Sequence, residues 1–210
     1  DGAGAFVLGE GEPKIASGHN AVFWLDSATG ETRPSRVADV ERFARLCEQL
    51  AHIDMIGIPV MPQDVAEPRN TLLHAVKACA ENSRKPIFFS TDNARINRGC
   101  MELLRAAFAG DFEKQVYGSS QLSPTSPLFW EENVCEAILD TLMTAVPLAI
   151  LPEPNAGVSA PYTLAGLLTM NNAECLSGLA MIQLLKPGHP VLYANSLTTT
   201  DMRSGAALVG

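Results

Sequence analysis

The feature that most constrains this chain is a repeated exchange between two hydrophobic periods. Short apolar runs that close on proline or small polar residues alternate with longer segments whose apolar residues recur at helical spacing. The clearest example is Leu148 to Thr169, LAILPEPNAGVSAPYTLAGLLT. Leu148 to Leu151 reads as a buried strand that breaks at Pro152 and Pro154. Asn155, Ala156 and Gly157 then form a loop, and a long helix begins near Pro161. Such a unit sets its loop at the carboxyl end of a strand, where α/β folds bind ligands because the strand fixes the loop and the helix N-terminus offers unpaired N–H groups.

The same exchange runs along the chain. Residues 1–34 are Gly-rich and then strand-like, and VFWLD, a turn at Ser27 to Gly30 and ETRP predict a small β-hairpin appended to the main body. From Ser35, placed as a cap, Val37, Val40, Ala44, Cys47 and Ala51 form the stripe of a first helix. Ile53 to Val60 is an apolar run, and Glu67 to Asn82 returns to helix with Leu72, Leu73, Val76 and Ala80 inward. Lys85 to Thr91 is a short strand. The helix after it has Asp92 as cap, a stripe of Ile96, Cys100, Leu103, Leu104, Ala107 and Phe108, and an end at Gly110. Gln115 to Leu122 is a weaker strand pattern closed by Pro124 and Pro127, and a helix from Glu131 turns Val134, Ile138, Thr141, Leu142 and Ala145 inward. The helix of the main repeat carries Leu164, Leu167, Leu168, Cys175, Leu179 and Ile182 on its apolar side and stops at Pro187 and Gly188. A fifth strand, Val191 to Ala194, opens into SLTTTDMRSG. About five strand-helix steps predict an α/β body over residues 35–210 with a parallel sheet and right-handed crossovers. Periodicity does not choose between an open doubly wound sheet and a barrel.

Composition narrows the function classes. With 47% hydrophobic and 18% charged residues among 210, the chain buries a sizeable core. A net charge of −8 without a long basic cluster argues against nucleic acid and gives a cationic ligand a favourable field. No window nears the roughly 18 apolar residues of a membrane span, and the first residues lack a basic region followed by an apolar run, so neither export nor insertion is expected. Five cysteines (Cys47, Cys79, Cys100, Cys135, Cys175) without metal-type spacing read as reduced core residues of a cytoplasmic protein. The histidines His19, His52, His74 and His189 are far apart, which gives a protein-ligated metal little support. No lysine sits in a strand interior, which disfavours a Schiff-base enzyme. The chain also lacks GxGxxG, P-loop, HExxH and G-x-S-x-G patterns.

What remains is a set of strand ends: Met61, Gln63 and Asp64; Ser90, Thr91 and Asp92; Ser123, Thr125 and Ser126; Glu153 and Asn155; Asn195, Ser196 and Thr198. Each is a turn former or cap on one reading and a ligand contact on the other. Glu153, between two prolines, could balance a quaternary ammonium or face a solvated rim. Phe88, Phe89, Phe129, Trp130 and Tyr193 lie on or near strand ends, where aromatic faces attract methylated ammonium ions or simply pack the core. Strand alternation lets only one of Phe88 and Phe89 point inward. The expected substrate contacts are Glu153, Asn155, Ser90, Ser126, Asn195, Tyr193 and Phe89, and no catalytic acid or base is identified. Asn171 and Glu174 fall on or beside the apolar stripe of the long helix, where polar groups need partners, so they are expected to tie it to a neighbouring loop.

PEPNAGVSAPYTLAG resembles the signature loop of the trimethylamine:corrinoid methyltransferase family. TGETRP at Thr29, TSPL at Thr125, NAE at Asn172, KPGHPV at Lys186 and DMRSG at Asp201 are similar to further family motifs in the same order. Ser159, Tyr162 and Ser204 depart from the family pattern, which has Thr, Val and Thr there. The resemblance implies a TIM-type (β/α) barrel, here a partial one because a full barrel takes roughly 250 residues. It implies transfer of a methyl group from a tertiary or quaternary methylamine to the Co(I) of a separate corrinoid protein. No cofactor is then bound directly, and a homo-oligomer is expected. Trimethylamine enzymes of the family carry pyrrolysine in a later segment, whereas relatives without it use quaternary amines such as glycine betaine. Two rivals stand beside this: a non-catalytic or truncated barrel that binds a ligand or the corrinoid protein, and another barrel enzyme such as a lyase, which would need a base not identified here.

Overall fold

The computed structural model describes residues 9, 11–18, 20–108 and 116–208. The expectations on His19, Gly110 and Gln115 lie outside the described residues. In chain order the elements are β1 (Phe23–Leu25), β2 (Thr32–Pro34), α1 (Val37–Gln49), β3 (Ile56–Gly57), α2 (Thr71–Asn82), β4 (Ile87–Ser90), α3 (Ala94–Ala107), β5 (Gly118–Leu122), α4 (Glu132–Leu142), β6 (Leu148–Ile150), β7 (Asn155–Ala156), α5 (Leu164–Leu185), β8 (Val191–Tyr193), β9 (Thr198–Thr200) and β10 (Ala207–Leu208). Five strands are hydrogen-bonded in the order β3-β4-β5-β6-β8. The order is that of the chain, without the reversal of a doubly wound sheet. The β3/β4, β5/β6 and β6/β8 pairs are parallel. The α/β reading and the preceding antiparallel hairpin are both present.

The chain divides into two compact units, Asp1–Phe89 with Arg98–Ser119, and Ser90–Asn97 with Ser120–Gly210. In the first, the Asp26 side chain holds the hairpin turn by accepting the amide of Ala28 at 2.9 Å. Arg33 reaches from β2 to Asp39 of α1 through two 2.7 Å bonds. Asp39 also accepts the Arg36 amide at 2.9 Å, so a first-turn aspartate closes the helix start, and Ser35 is not the cap. Ser35 is buried instead and donates to the Met61 carbonyl at 2.8 Å. At the other end of α1, Lys85 places its ammonium on the carbonyls of Cys47, Leu50 and Ile53 at 2.6, 2.7 and 2.6 Å, where the helix dipole favours a cation. Ala51 lies beyond that end and is exposed.

The second unit is built on a core of Leu122, Val134, Ala137, Ile138, Leu142, Leu148, Ile150 and Ile182, with Trp130, Met181 and Val191 packed against it. Asn93, rather than Asp92, caps α3 by accepting the Ile96 amide at 3.1 Å. Ser120 of β5 donates to Asn97 at 2.7 Å, and Asn97 donates to Thr141 of α4 at 2.9 Å; all three residues have no exposed surface. This satisfied network lets a strand reading GSSQL be buried throughout. On α5, Leu167, Asn171, Glu174, Cys175, Gly178 and Ile182 face inward, whereas Leu164 and Leu168 are 68% and 47% exposed. Those two leucines do not belong to the buried stripe. Apolar residues surround α5 on all sides, so spacing alone could not select its inner face.

Candidate functional site

The loop after β6 is not irregular. Asn155–Ala156 is a short strand, β7, parallel to β9, and SLTTTDMRSG folds into the β9/β10 hairpin instead of an open loop. Between the two pairs the ladder continues. The amides of Ala194, Ser196 and Thr198 donate to the carbonyls of Ile150, Pro152 and Pro154 at 3.0, 3.1 and 3.3 Å. The return donors of a parallel ladder would be residues 152 and 154, and both are proline. The ladder therefore keeps half its bonds. The Cys175 thiol replaces one of them by donating to the Ala194 carbonyl at 3.1 Å. Burial pushes that thiol's pKa up, in keeping with a neutral donor.

Asn155 is the joint of this platform. Its side-chain oxygen accepts from the Thr200 hydroxyl at 2.6 Å, its amide donates to Ser159 Oγ at 3.0 Å, and its carbonyl accepts three amides from residues 158–160. Gly157 has φ +87°, and a Cβ there would stand 2.8 Å from Met202 Sδ and 2.9 Å from the Tyr162 ring. The glycine is required twice over, by backbone and by space. Asp201 closes the hairpin by accepting the Arg203 amide at 3.0 Å and the Ser204 hydroxyl at 2.7 Å, bonds that hold its pKa below the usual carboxylate value. The PEPNAG and DMRSG stretches thus form one folded joint.

A second joint links TSPL to NAE. Glu174 is 1% exposed and accepts from Ser126 Oγ at 2.9 Å and from the Leu128 amide at 2.8 Å. Leu128 has φ +57°, an uncommon conformation for leucine, and the carboxylate helps hold it there. Trp130 donates to Ser177 at 3.0 Å, one turn further along α5. The expectation that Glu174 ties the helix to a loop is met. The KPGHPV stretch is a third joint: Lys186 donates to the carbonyls of Leu142 and Thr144, and His189 Nε2 lies 3.0 Å from the Val146 carbonyl.

Register sorts the candidates onto two faces. Ser120 bonds to Asn97 of α3, which bonds on to α4, and Leu122, Leu148 and Ile150 pack against α4 and α5, so these positions face the helices. Gln121 and its partner Ala149 face the other way, with Leu192 beside Ala149. Continuing the ladder puts Leu151, Glu153, Ser196, Asn155 and Thr198 on that second face, where Asn155 and Thr198 are direct partners. Glu153 is exposed while both flanking prolines are buried. Tyr193 pairs with Ile150 on the helix side and donates to Asn172 of α5 at 3.0 Å; Asn195 is exposed and in line with Pro152 on the same side. Ser90, the last residue of β4, is half-buried. Phe89 is 1% exposed and belongs to the core of the first unit, whereas Phe88 is half-buried. Ser126 spends its hydroxyl on Glu174.

Two buried side-chain oxygens among the described residues have no hydrogen-bond partner, Gln121 Oε1 and Asn171 Oδ1. Each costs about 1–3 kcal/mol when unpaired. Sequence reasoning singled out Asn171 and passed over Gln121, although a glutamine at the penultimate position of a buried strand is an anomaly visible in the sequence. No three of His, Cys, Asp and Glu gather among the described residues, and no described helix is long and apolar enough to cross a membrane. Cys79 and Cys100 are buried thiols whose pKa values are pushed up to about 12.

A model of the trimethylamine methyltransferase family matches residues 4–210. The chain is similar to the trimethylamine methyltransferase of Desulfitobacterium hafniense, 29% identical over 188 residues, 89% of this chain and 38% of the relative. It is 33% identical over 175 residues to the trimethylamine methyltransferase of Methanosarcina thermophila, 82% of this chain and 36% of the relative. To the glycine betaine methyltransferase of Desulfitobacterium hafniense it is 27% identical over 208 residues, 97% of this chain and 43% of the relative. The chain spans well under half the length of these relatives.

Proposed function

The chain belongs to the trimethylamine methyltransferase family, and from that premise we propose that its protein moves a methyl group from a methylated amine to the Co(I) of a corrinoid carried by a separate protein. The family match over nearly the whole chain is the observation that carries this reading. The chain-ordered parallel strands support a second proposal, that residues 35–210 form part of a (β/α) barrel whose strand ends open on one mouth.

The corrinoid supplies the methyl acceptor. The chain's own residues bind, orient and shield the amine. Displacement at a methyl carbon needs little acid or base assistance when the leaving group departs as a neutral amine, so a site of carboxylate, carboxamide and hydroxyl oxygens suffices. That donor set suits an ammonium ion better than it suits cobalt, and no described histidine stands among the strand-end groups. We assign the cation to Glu153, whose carboxylate is exposed on the face away from the helices, with Asn155 holding the loop in place and Ser90 a further polar contact. Ser126, Tyr193 and Phe89 are committed to other partners or to the core, and Asn195 is in line with the helix side, so all four are left out of the assignment.

The test is turnover of the purified native protein with trimethylamine or glycine betaine, with and without a Co(I) corrinoid protein, followed by loss of methyl groups and by the visible spectrum of the cobalt. Demethylation only in the presence of the corrinoid protein supports the reading. Steady turnover with amine alone overturns it.

A further inference from the structure

We propose that Gln121 selects a protonated tertiary amine by accepting its N–H, a reading that rests on the methylamine function above. Gln121 is 1% exposed and its Oε1 has no partner among the described residues. The next-door residue shows that the fold can satisfy buried polar groups on this strand: Ser120, on the opposite face, is fully bonded through Asn97 to Thr141. The unpaired acceptor is thus confined to the face turned away from the helices. There its cross-strand neighbour is Ala149, a small side chain that brings no polar group, followed by Leu192.

Gln121 is the penultimate residue of β5, so it lies just inside the carboxyl end of the sheet. Glu153 lies on the same face four residues beyond Ala149, a separation of about 13 Å along the strand direction. The two oxygens suit successive contacts: an exposed carboxylate that draws a cation inward and a buried neutral acceptor that reads its one N–H. A quaternary ammonium ion has no N–H and would leave Oε1 unpaired. In the transfer itself the methyl carbon bonds to the cobalt electron pair while the C–N pair returns to nitrogen. The nitrogen keeps its proton, and a neutral secondary amine leaves. An acceptor fixed on that N–H holds the proton on nitrogen until the bond has broken.

The test uses the native full-length polypeptide and its Gln121→Met variant, which keeps volume and removes the acceptor. Binding of trimethylammonium and of tetramethylammonium is measured by titration calorimetry, alongside the Tm of each ligand-free protein. The expected result is a Tm equal to or above that of the parent, an affinity for trimethylammonium lowered at least tenfold, and an affinity for tetramethylammonium within a factor of two. Undiminished trimethylammonium binding by the variant, or a clear fall in its ligand-free Tm, overturns the role of Gln121 and leaves the methylamine reading standing. If the parent binds neither cation, the proposal and the methylamine reading both fall.

Discussion

Removing the Glu174 carboxylate measures how strongly the long helix holds the 125–130 loop. The side chain is 1% exposed and accepts two hydrogen bonds from that loop, at 2.9 and 2.8 Å. A bond to a charged group contributes about 1.5–3 kcal/mol, and because both donors are only partly buried the lower end applies. Glu174→Ala should then cost about 3 kcal/mol, which for a chain of this size lowers Tm by about 6–12 °C. Ser126→Ala removes one of the two bonds, so the pair should couple by about 1–2 kcal/mol in a double-mutant cycle. Urea unfolding followed by circular dichroism gives the stability. Tryptophan fluorescence adds a local report, because Trp130 is bonded to Ser177 only three residues from Glu174. An Ala variant within 0.5 kcal/mol of the parent, or strict additivity with Ser126→Ala, would refute the claim that this carboxylate holds the loop.

Three further perturbations follow from the same geometry. Ile182→Ala, which hollows the core of the second unit at a fully buried position, should cost about 2–5 kcal/mol in urea unfolding, and a loss under 1 kcal/mol would show that the core can collapse around it. Burial, then the neighbouring Lys186 charge, lowers the His189 pKa below its ordinary 6.5, so the unfolded chain takes up a proton first as pH falls. Stability should therefore be full above 6.5 and decline below it as the folded-state pKa is approached, and Tm measured in steps from pH 7.5 to 5.5 should flatten in His189→Gln. Finally, a carboxylate about 4 Å from a methylated ammonium contributes on the order of 4 kcal/mol at an effective dielectric near 20, before desolvation. Glu153→Gln should accordingly raise KM well before it lowers kcat, and an unchanged KM for both a betaine and a simple quaternary amine would make Glu153 a residue of loop structure only.

Much of the fold was legible because burial imposes period. The strand at Leu148 and the inward side of α4 follow from hydrophobic spacing alone, and Glu174 stood out because it interrupts such a spacing. Caps were harder to read. Ser35 and Asp92 have the right chemistry, but Asp39 closes the start of α1 on the Arg36 amide and Asn93 takes the Ile96 amide of α3, and short-range competition of this kind is settled by backbone geometry. The outer leucines of α5 were misplaced because a helix apolar on every side has no contrast to read. The β9/β10 hairpin escaped notice because its strands have only three and two residues, and β7 because it follows two prolines. Polar strands defeat hydrophobic patterning altogether. Ser120 is buried through a bond to Asn97, which in turn bonds Thr141, and that chain of partners is invisible in a strand read for hydrophobic period alone.

The one-sided ladder beside Glu153 places the order of that loop in an unusual thermodynamic location. With donors missing at 152 and 154, few native bonds hold the segment, yet two fixed φ angles remove much of the freedom it would have when unfolded. Its rigidity is thus in part a property of the denatured ensemble. A substitution such as Pro152→Ala would restore an amide facing the Ala194 carbonyl, where the Cys175 thiol now sits, and would at the same time enlarge the unfolded ensemble. The folded loop could gain a bond while the chain becomes no more stable. Amide exchange would register the asymmetry directly, with protection on the 194, 196 and 198 side and no amide to protect at 152 and 154.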